Sequence, residues 1–146
     1  MPTRSKQGTL TLAGRVLAMR YRYKLLLRLL PLDSCLHWIS PDRPPTESLT
    51  SEEQARYIKR IENITAWLLR RFRPTRTTCL IRALLRYRLL NEQGIRASFV
   101  MGVRPEAEGD VMAHAWITLD NKPVMERKKI TYKQIFRYPE SGEPVI

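Results

Sequence analysis

The stretch Cys79-Leu80-Ile81-Arg82-Ala83-Leu84-Leu85-Arg86-Tyr87-Arg88-Leu89-Leu90, followed past Gly94 by Ile95-Arg96-Ala97-Ser98-Phe99-Val100-Met101-Gly102-Val103, is where the chain changes its period. The first half is apolar nearly all round at helical spacing, which predicts a central, buried helix; it begins just after Thr77-Thr78, and Gly94 suits its C-cap. From Ile95 to Val103 the pattern is that of a strand. A loop with Pro and Gly over Arg104 to Val111 leads to a second strand, Ala113 to Leu119. Asp120-Asn121-Lys122 reads as a turn and Pro123 to Arg127 as a third strand.

Upstream of this switch the chain reads as helices. Residues 1–32 hold seven Lys or Arg and no Asp or Glu, and Leu12, Val16, Met19, Tyr23, Leu26 and Leu30 recur at spacings of three and four. That predicts a basic amphipathic helix ended near Pro31, with its apolar face on the core and its arginines in water, a reading ranked above membrane docking or partner binding. A short helix over Ser34 to Ile39 follows. Ser40-Pro41-Asp42-Arg43-Pro44-Pro45 cannot continue it, because three prolines remove amide donors and fix φ, so it reads as a linker. Thr50 or Ser51 before Glu52-Glu53 marks a helix start, and that helix runs from about Glu52 to about Arg71, stopping before Pro74. Helices first and a meander afterwards is the α+β pattern. At 146 residues the chain has room for one domain, organised as a basic helical N-terminal part over 1–40 and a core over 41–146.

Composition narrows the function classes. With 43% hydrophobic and 27% charged residues the chain is globular and not disordered. Cys35 and Cys79 lie far apart with no CxxC spacing, so neither a zinc site nor a disulfide framework is expected, and a reducing cytoplasm fits. Arg15, Arg20, Arg22, Lys24 and Arg28 interrupt the apolar residues from Leu10 to Leu30, against both a signal peptide and a membrane-spanning helix. A formal net charge of +12 favours acidic partners without choosing among nucleic acid, anionic lipid and an acidic peptide or protein. No Gly-rich phosphate loop is present, and no cofactor is expected.

A nucleophilic cysteine needs its thiolate, and a helix N-terminus supplies free amides and a dipole that favour the anion. Cys79 holds that place behind Thr77 and Thr78, both natural N-caps, and its own amide can face a developing oxyanion. A base must exchange a proton near neutral pH, and the chain has two histidines, His37 and His114. His114 opens a strand in which His114, Trp116 and Thr118 share one face, whereas His37 lies among apolar residues and reads as packed or surface. The group that orients the imidazole is Glu126 or Asp120. With a three-residue loop, Glu126 falls opposite Trp116 on the face of His114; a two-residue loop would turn it to the other face, and Asp120 at the turn tip has structural reasons to be there. Each residue has a plainer reading too, since a lone cysteine in an apolar helix or a histidine on a strand is often a packing residue.

The run Cys79-Leu80-Ile81-Arg82-Ala83-Leu84, then Gly94-Ile95-Arg96-Ala97 with Gly102-Val103-Arg104, then Ala113-His114-Ala115-Trp116-Ile117, resembles the lasso-peptide B proteins in composition and order. These are leader peptidases (microcin-processing proteins) whose C-terminal domain has a transglutaminase-like, papain-related fold. The resemblance covers about Thr77 to Arg127. It implies a small antiparallel sheet packed by helices, with Cys79 as nucleophile and His114 as general base in thioester-forming hydrolysis of a peptide bond. The family places an Asp after the Pro-Val of the next strand, and here Pro123-Val124-Met125 leads to Glu126 instead, a departure for which Asp120 is the alternative third member. It further implies a ribosomal lasso precursor peptide as substrate, a separate leader-recognition protein as partner and an ATP-using lasso cyclase as the next enzyme. ATP use by this chain itself is not visible in its sequence. In this light the basic N-terminal helix gains a docking role for an acidic leader or the recognition protein. Two rivals stand beside this reading: transglutaminase-like acyl transfer to an amine, and a non-enzymatic basic module for nucleic acid or anionic membrane. Against the second, no nucleic-acid motif and no aromatic stacking platform interleaved with the basic residues is present.

Overall fold

The computed structural model describes residues 8–41, 49–71, 78–106, 109–126 and 129–139. Four helices, α1 (Thr9–Leu29), α2 (Leu32–Ile39), α3 (Ser51–Arg71) and α4 (Thr78–Glu92), precede four strands, β1 (Ser98–Pro105), β2 (Val111–Leu119), β3 (Lys122–Val124) and β4 (Lys133–Tyr138). The strands form one antiparallel sheet in the order β3-β2-β1-β4. This is the expected α+β fold.

Each helix boundary has a local cause. α1 stops where Pro31 cannot continue it. α3 opens with a capping box: the Glu53 amide donates to Thr50 Oγ1 at 3.2 Å, and the Thr50 amide donates back to Glu53 Oε2 at 3.0 Å. α4 closes on Gly94, left-handed at φ 83°, while the Ile95 amide donates to the Leu90 carbonyl at 3.0 Å. Most of the Ser40–Pro45 linker lies outside the described residues.

Helix α4 is central, as its apolar sequence predicts. Leu84, Leu85, Leu89 and Leu90 are fully buried against Leu12 and Val16 of α1, Leu36 of α2, Ile61 of α3 and the inner face of the sheet, carried by Phe99, Ala115 and Ile117. The apolar face assigned to α1 is the buried one, but Arg20 is buried with it and not wetted like its neighbours. Glu92 ties the ends of the helical layer together, its carboxylate accepting from Arg15 of α1 and from Arg88 one turn earlier in α4.

The sheet departs from the sequence reading in four ways. β1 begins at Ser98, not Ile95. β4, which no pattern in the sequence announced, completes the sheet beside β1, with a bulge between Met101 and Gly102. The turn after β2 is also shorter: Leu119 pairs with Lys122, so Asp120 and Asn121 alone make it, both left-handed at φ 52° and 64°. Those angles belong to the hairpin turn whose twist matches the strands, which explains why two residues replace the expected three. β3 then ends at Val124, and Arg127, the expected end of that strand, lies outside the described residues.

Candidate active site

Cys79 is the second residue of α4, in the first turn, whose amides have no acceptor within the helix. The Thr77 cap expected before it lies outside the described residues. The half-buried thiol is hydrogen-bonded to His114, and the backbone N–H of Ala115 donates to the sulfur. That amide is available because β3 is short: continued past Val124, the register that pairs Ile117 with Val124 would set Glu126 opposite Ala115 and cover this edge of β2.

The same register bears on the third residue. With a two-residue turn, a straight β3 would direct Glu126 away from the face of His114. Instead Met125 is left-handed at φ 62°, the chain leaves the strand, and Glu126 Oε2 reaches His114 Nε2 at 3.2 Å. Glu126 thus stands on His114, but by a kink after a two-residue turn and not by the expected three-residue loop on a continuous strand. Asp120 sits in the turn, six residues along the strand from His114, or about 20 Å at strand rise. His37 is exposed on α2 and lines a different cavity from His114.

The kink has a support that sequence reading did not single out. Arg86, two turns beyond Cys79 on α4, is almost wholly buried; its Nε donates to Thr65 Oγ1 at 2.9 Å and its Nη1 to the Met125 carbonyl at 3.3 Å. Burial, and after it the nearby Arg82, pushes this guanidinium down to about 10, so it remains charged at neutral pH. The only trace in the sequence was its place as one of three arginines, with Arg82 and Arg88, in a largely apolar helix.

His114 is held by rings as well as by the carboxylate. Trp116 stacks beside it at 5.8 Å between centroids and Tyr132 lies over it at 5.2 Å. Gly102, paired with His114 across the sheet, makes room for both rings. A Cβ there would lie 2.8 Å from the Lys133 carbonyl oxygen and from the Trp116 ring, and 2.9 Å from Tyr132 Cβ.

The electrostatics of the pair are matched. The hydrogen bond to His114, opposed by burial and aided by the Ala115 amide, holds the Cys79 thiol below its ordinary 9.0. The hydrogen bonds to Cys79 and then to Glu126 raise His114 to about 9. Nε2 is occupied by the carboxylate, which leaves Nδ1 as the nitrogen for the thiol. The arrangement shifts the pair toward thiolate and imidazolium, the form in which sulfur is a nucleophile and the ring a proton donor. Cys35, the other cysteine, is buried, and its thiol is pushed up by desolvation and then by Asp33. No group of three or more His, Cys, Asp or Glu among the described residues is placed to hold a metal ion. No helix among them is long and apolar enough to cross a membrane.

A thiol at a helix N-terminus, a strand histidine and a carboxylate behind it define the thiol acyl-transfer arrangement on an α+β scaffold. The family model that describes the transglutaminase-like superfamily matches residues 18–137, most of the chain, and the protein belongs to that superfamily. No curated protein and no solved structure matches the chain significantly.

Proposed function

We propose that the protein is a cysteine peptidase in which Cys79 is the nucleophile, His114 the acid and base, and Glu126 the orienting carboxylate. The observation that carries this reading is the hydrogen-bonded row from the Cys79 thiol through His114 to Glu126. The thiolate attacks the scissile carbonyl carbon, and the negative oxygen that forms is met by the free amide of Cys79. His114 gives its proton to the leaving amine as the C–N bond breaks, leaving a thioester on Cys79. It then takes a proton from water, whose oxygen displaces the sulfur, and the acid product leaves as the starting pair is restored.

The finer reading is removal of the leader from a ribosomal lasso precursor peptide in the cytoplasm, with a separate recognition protein delivering the leader and a cyclase acting next. It is supported by the ordered resemblance of Cys79-Leu80-Ile81-Arg82, Gly94-Ile95-Arg96-Ala97 and His114-Ala115-Trp116 to the lasso-peptide B proteins. Helix α1 offers the recognition protein a surface, with Tyr21, Leu25 and Leu29 exposed among Arg22 and Arg28. The test is incubation of a neighbouring-gene precursor with wild type and with Cys79→Ala, the recognition protein present, followed by mass spectrometry. A single cut at the leader junction that vanishes in the variant supports the proposal. A product lighter by ammonia and joined to an amine indicates acyl transfer, and a cut indifferent to Cys79 removes the peptidase reading.

A further inference from the structure

Arg82 and Arg86 follow Cys79 at i+3 and i+7, so they lie along the nucleophile's own face of α4. They form one wall of an open groove of about 1160 Å³ that starts at His114 and Glu126. The facing wall is α3, where Lys59, Asn63, Ala66 and Arg70 recur at helical spacing with Trp67, half exposed, beside them. Lys129 and Tyr132 close the groove on the third side, and the Arg104 guanidinium lies 4.7 Å from the centre of the Tyr132 ring.

Six cationic side chains line this groove against two carboxylates. Both carboxylates are engaged locally: Glu126 is on His114, and Glu62 is 4.0 Å from Lys59. The groove is therefore more positive than its own ion pairs neutralise, and His114, the partner of the candidate nucleophile, is part of its wall. Arg82 acts on both, since its charge also favours the Cys79 thiolate. A polyanion that reaches a thiol acyl-transfer pair must carry an acyl carbon to be processed. The backbone of a nucleic acid has none, and a polypeptide has one at every residue.

Resting on the reading of Cys79 and His114 as an acyl-transfer pair, we propose that this groove docks the substrate, an extended polypeptide with acidic residues beside the scissile bond. Lys59, Arg70, Arg82 and Lys129 meet its carboxylates, and Trp67 offers an apolar side chain a flat contact. The groove thus sets specificity by charge, and α1 lends no residue to it.

Binding is tested in Cys79→Ala, which cannot turn a substrate over, by fluorescence anisotropy. The probes are a labelled peptide with glutamates on both sides of a Gly-Gly centre, its glutamine and lysine counterparts, and a single-stranded oligonucleotide of equal length. The acidic peptide is expected to bind roughly tenfold more tightly than the glutamine peptide, as a few exposed ion pairs acting together would give. Reversing Lys59, Arg70 and Lys129 to Glu should abolish that preference and create one for the lysine peptide. Arg96→Glu with Lys122→Glu, both exposed and outside the groove lining, should change neither. All three groove positions are exposed, and circular dichroism melting checks that the reversed protein folds. Equal binding of the glutamine peptide, an equal loss on the Arg96 and Lys122 reversals, or tighter binding of the oligonucleotide through the same groove residues would overturn the proposal. Because cleavage is not the readout, failure here leaves the peptidase proposal to its own test, and failure of that test leaves the binding result standing.

Discussion

Arg86→Met is the substitution that most sharply tests how Glu126 comes to face His114. Met125 at φ 62° occupies the left-handed region, which costs an L residue about 1–2 kcal/mol. Arg86 donates to the Met125 carbonyl at 3.3 Å, and a hydrogen bond from a charged donor contributes about 1.5–3 kcal/mol, toward the low end at this length. The two terms are of similar size. Removing the bond should therefore shift the equilibrium between engaged and released Glu126 by about tenfold, the equivalent of ~1.4 kcal/mol. Methionine keeps most of the side-chain length and removes a buried charge, so global stability need not fall with it. The assay is titration of the His114 ring by proton NMR. In wild type the ring should titrate near 9; in Arg86→Met the midpoint should move down toward the ordinary 6.5. Adding Met125→Gly removes the left-handed strain and should move it back up. A folded Arg86→Met protein with an unchanged His114 titration would refute the coupling, and so would a double variant with no recovery.

Alkylation of Cys79 by iodoacetamide should reach its plateau rate at lower pH than alkylation of Cys35 in the unfolded chain, because His114 holds the Cys79 thiol below 9.0; peptide mapping across pH reads this directly. His114 is raised in the folded state, so its contribution to stability is complete below 6.5 and is lost as pH rises through about 9, which melting curves on the alkaline side should follow. Gly102→Ala places a methyl 2.8 Å from the Lys133 carbonyl and the Trp116 ring, and overpacking of this kind costs about 1–3 kcal/mol, seen as a lowered Tm with weakened His114 ordering. A Tm equal to wild type would mean that β4 shifts freely.

The elements legible in the sequence are those whose signals are local. α4 could be read from an apolar run closed by Gly94, and α3 from Thr50 and Glu53, which do form a capping box. Cys79 and His114 were legible because a helix start and a strand face place them by period alone. The turn length was not, since Asp120-Asn121-Lys122 suits two or three residues equally and the choice is made by the twist of the strands. β4 was missed because Lys133-Gln134-Ile135-Phe136-Arg137-Tyr138 is a weak alternation, and only Phe136 and Tyr138 bind it to the core. The role of Arg86 is tertiary: nothing in an i+7 spacing from Cys79 says that the guanidinium will meet a carbonyl from residue 125.

The pairing of a glutamate with a left-handed residue before it has a consequence that chemical similarity would not suggest. In the resembling family an aspartate follows the Pro-Val of this strand, and Glu126→Asp would look like a return to pattern. Here the carboxylate is delivered by a kink that sets the backbone position first, and Glu126 then spans the remaining distance to a 3.2 Å contact with Nε2. Aspartate is shorter by one carbon–carbon bond, about 1.5 Å, which opens the contact beyond hydrogen-bond range unless the backbone follows. The backbone is held on the other side by Arg86 through Met125, so it has little freedom to follow. Glu126→Asp should therefore lower the His114 titration nearly as far as Glu126→Gln does, although it keeps the charge. Asp120→Ala, remote at the turn, should leave the titration where it is. If Glu126→Asp titrated like wild type, the segment after Val124 would be mobile enough to adapt, and the kink would be a consequence of the contact instead of its cause.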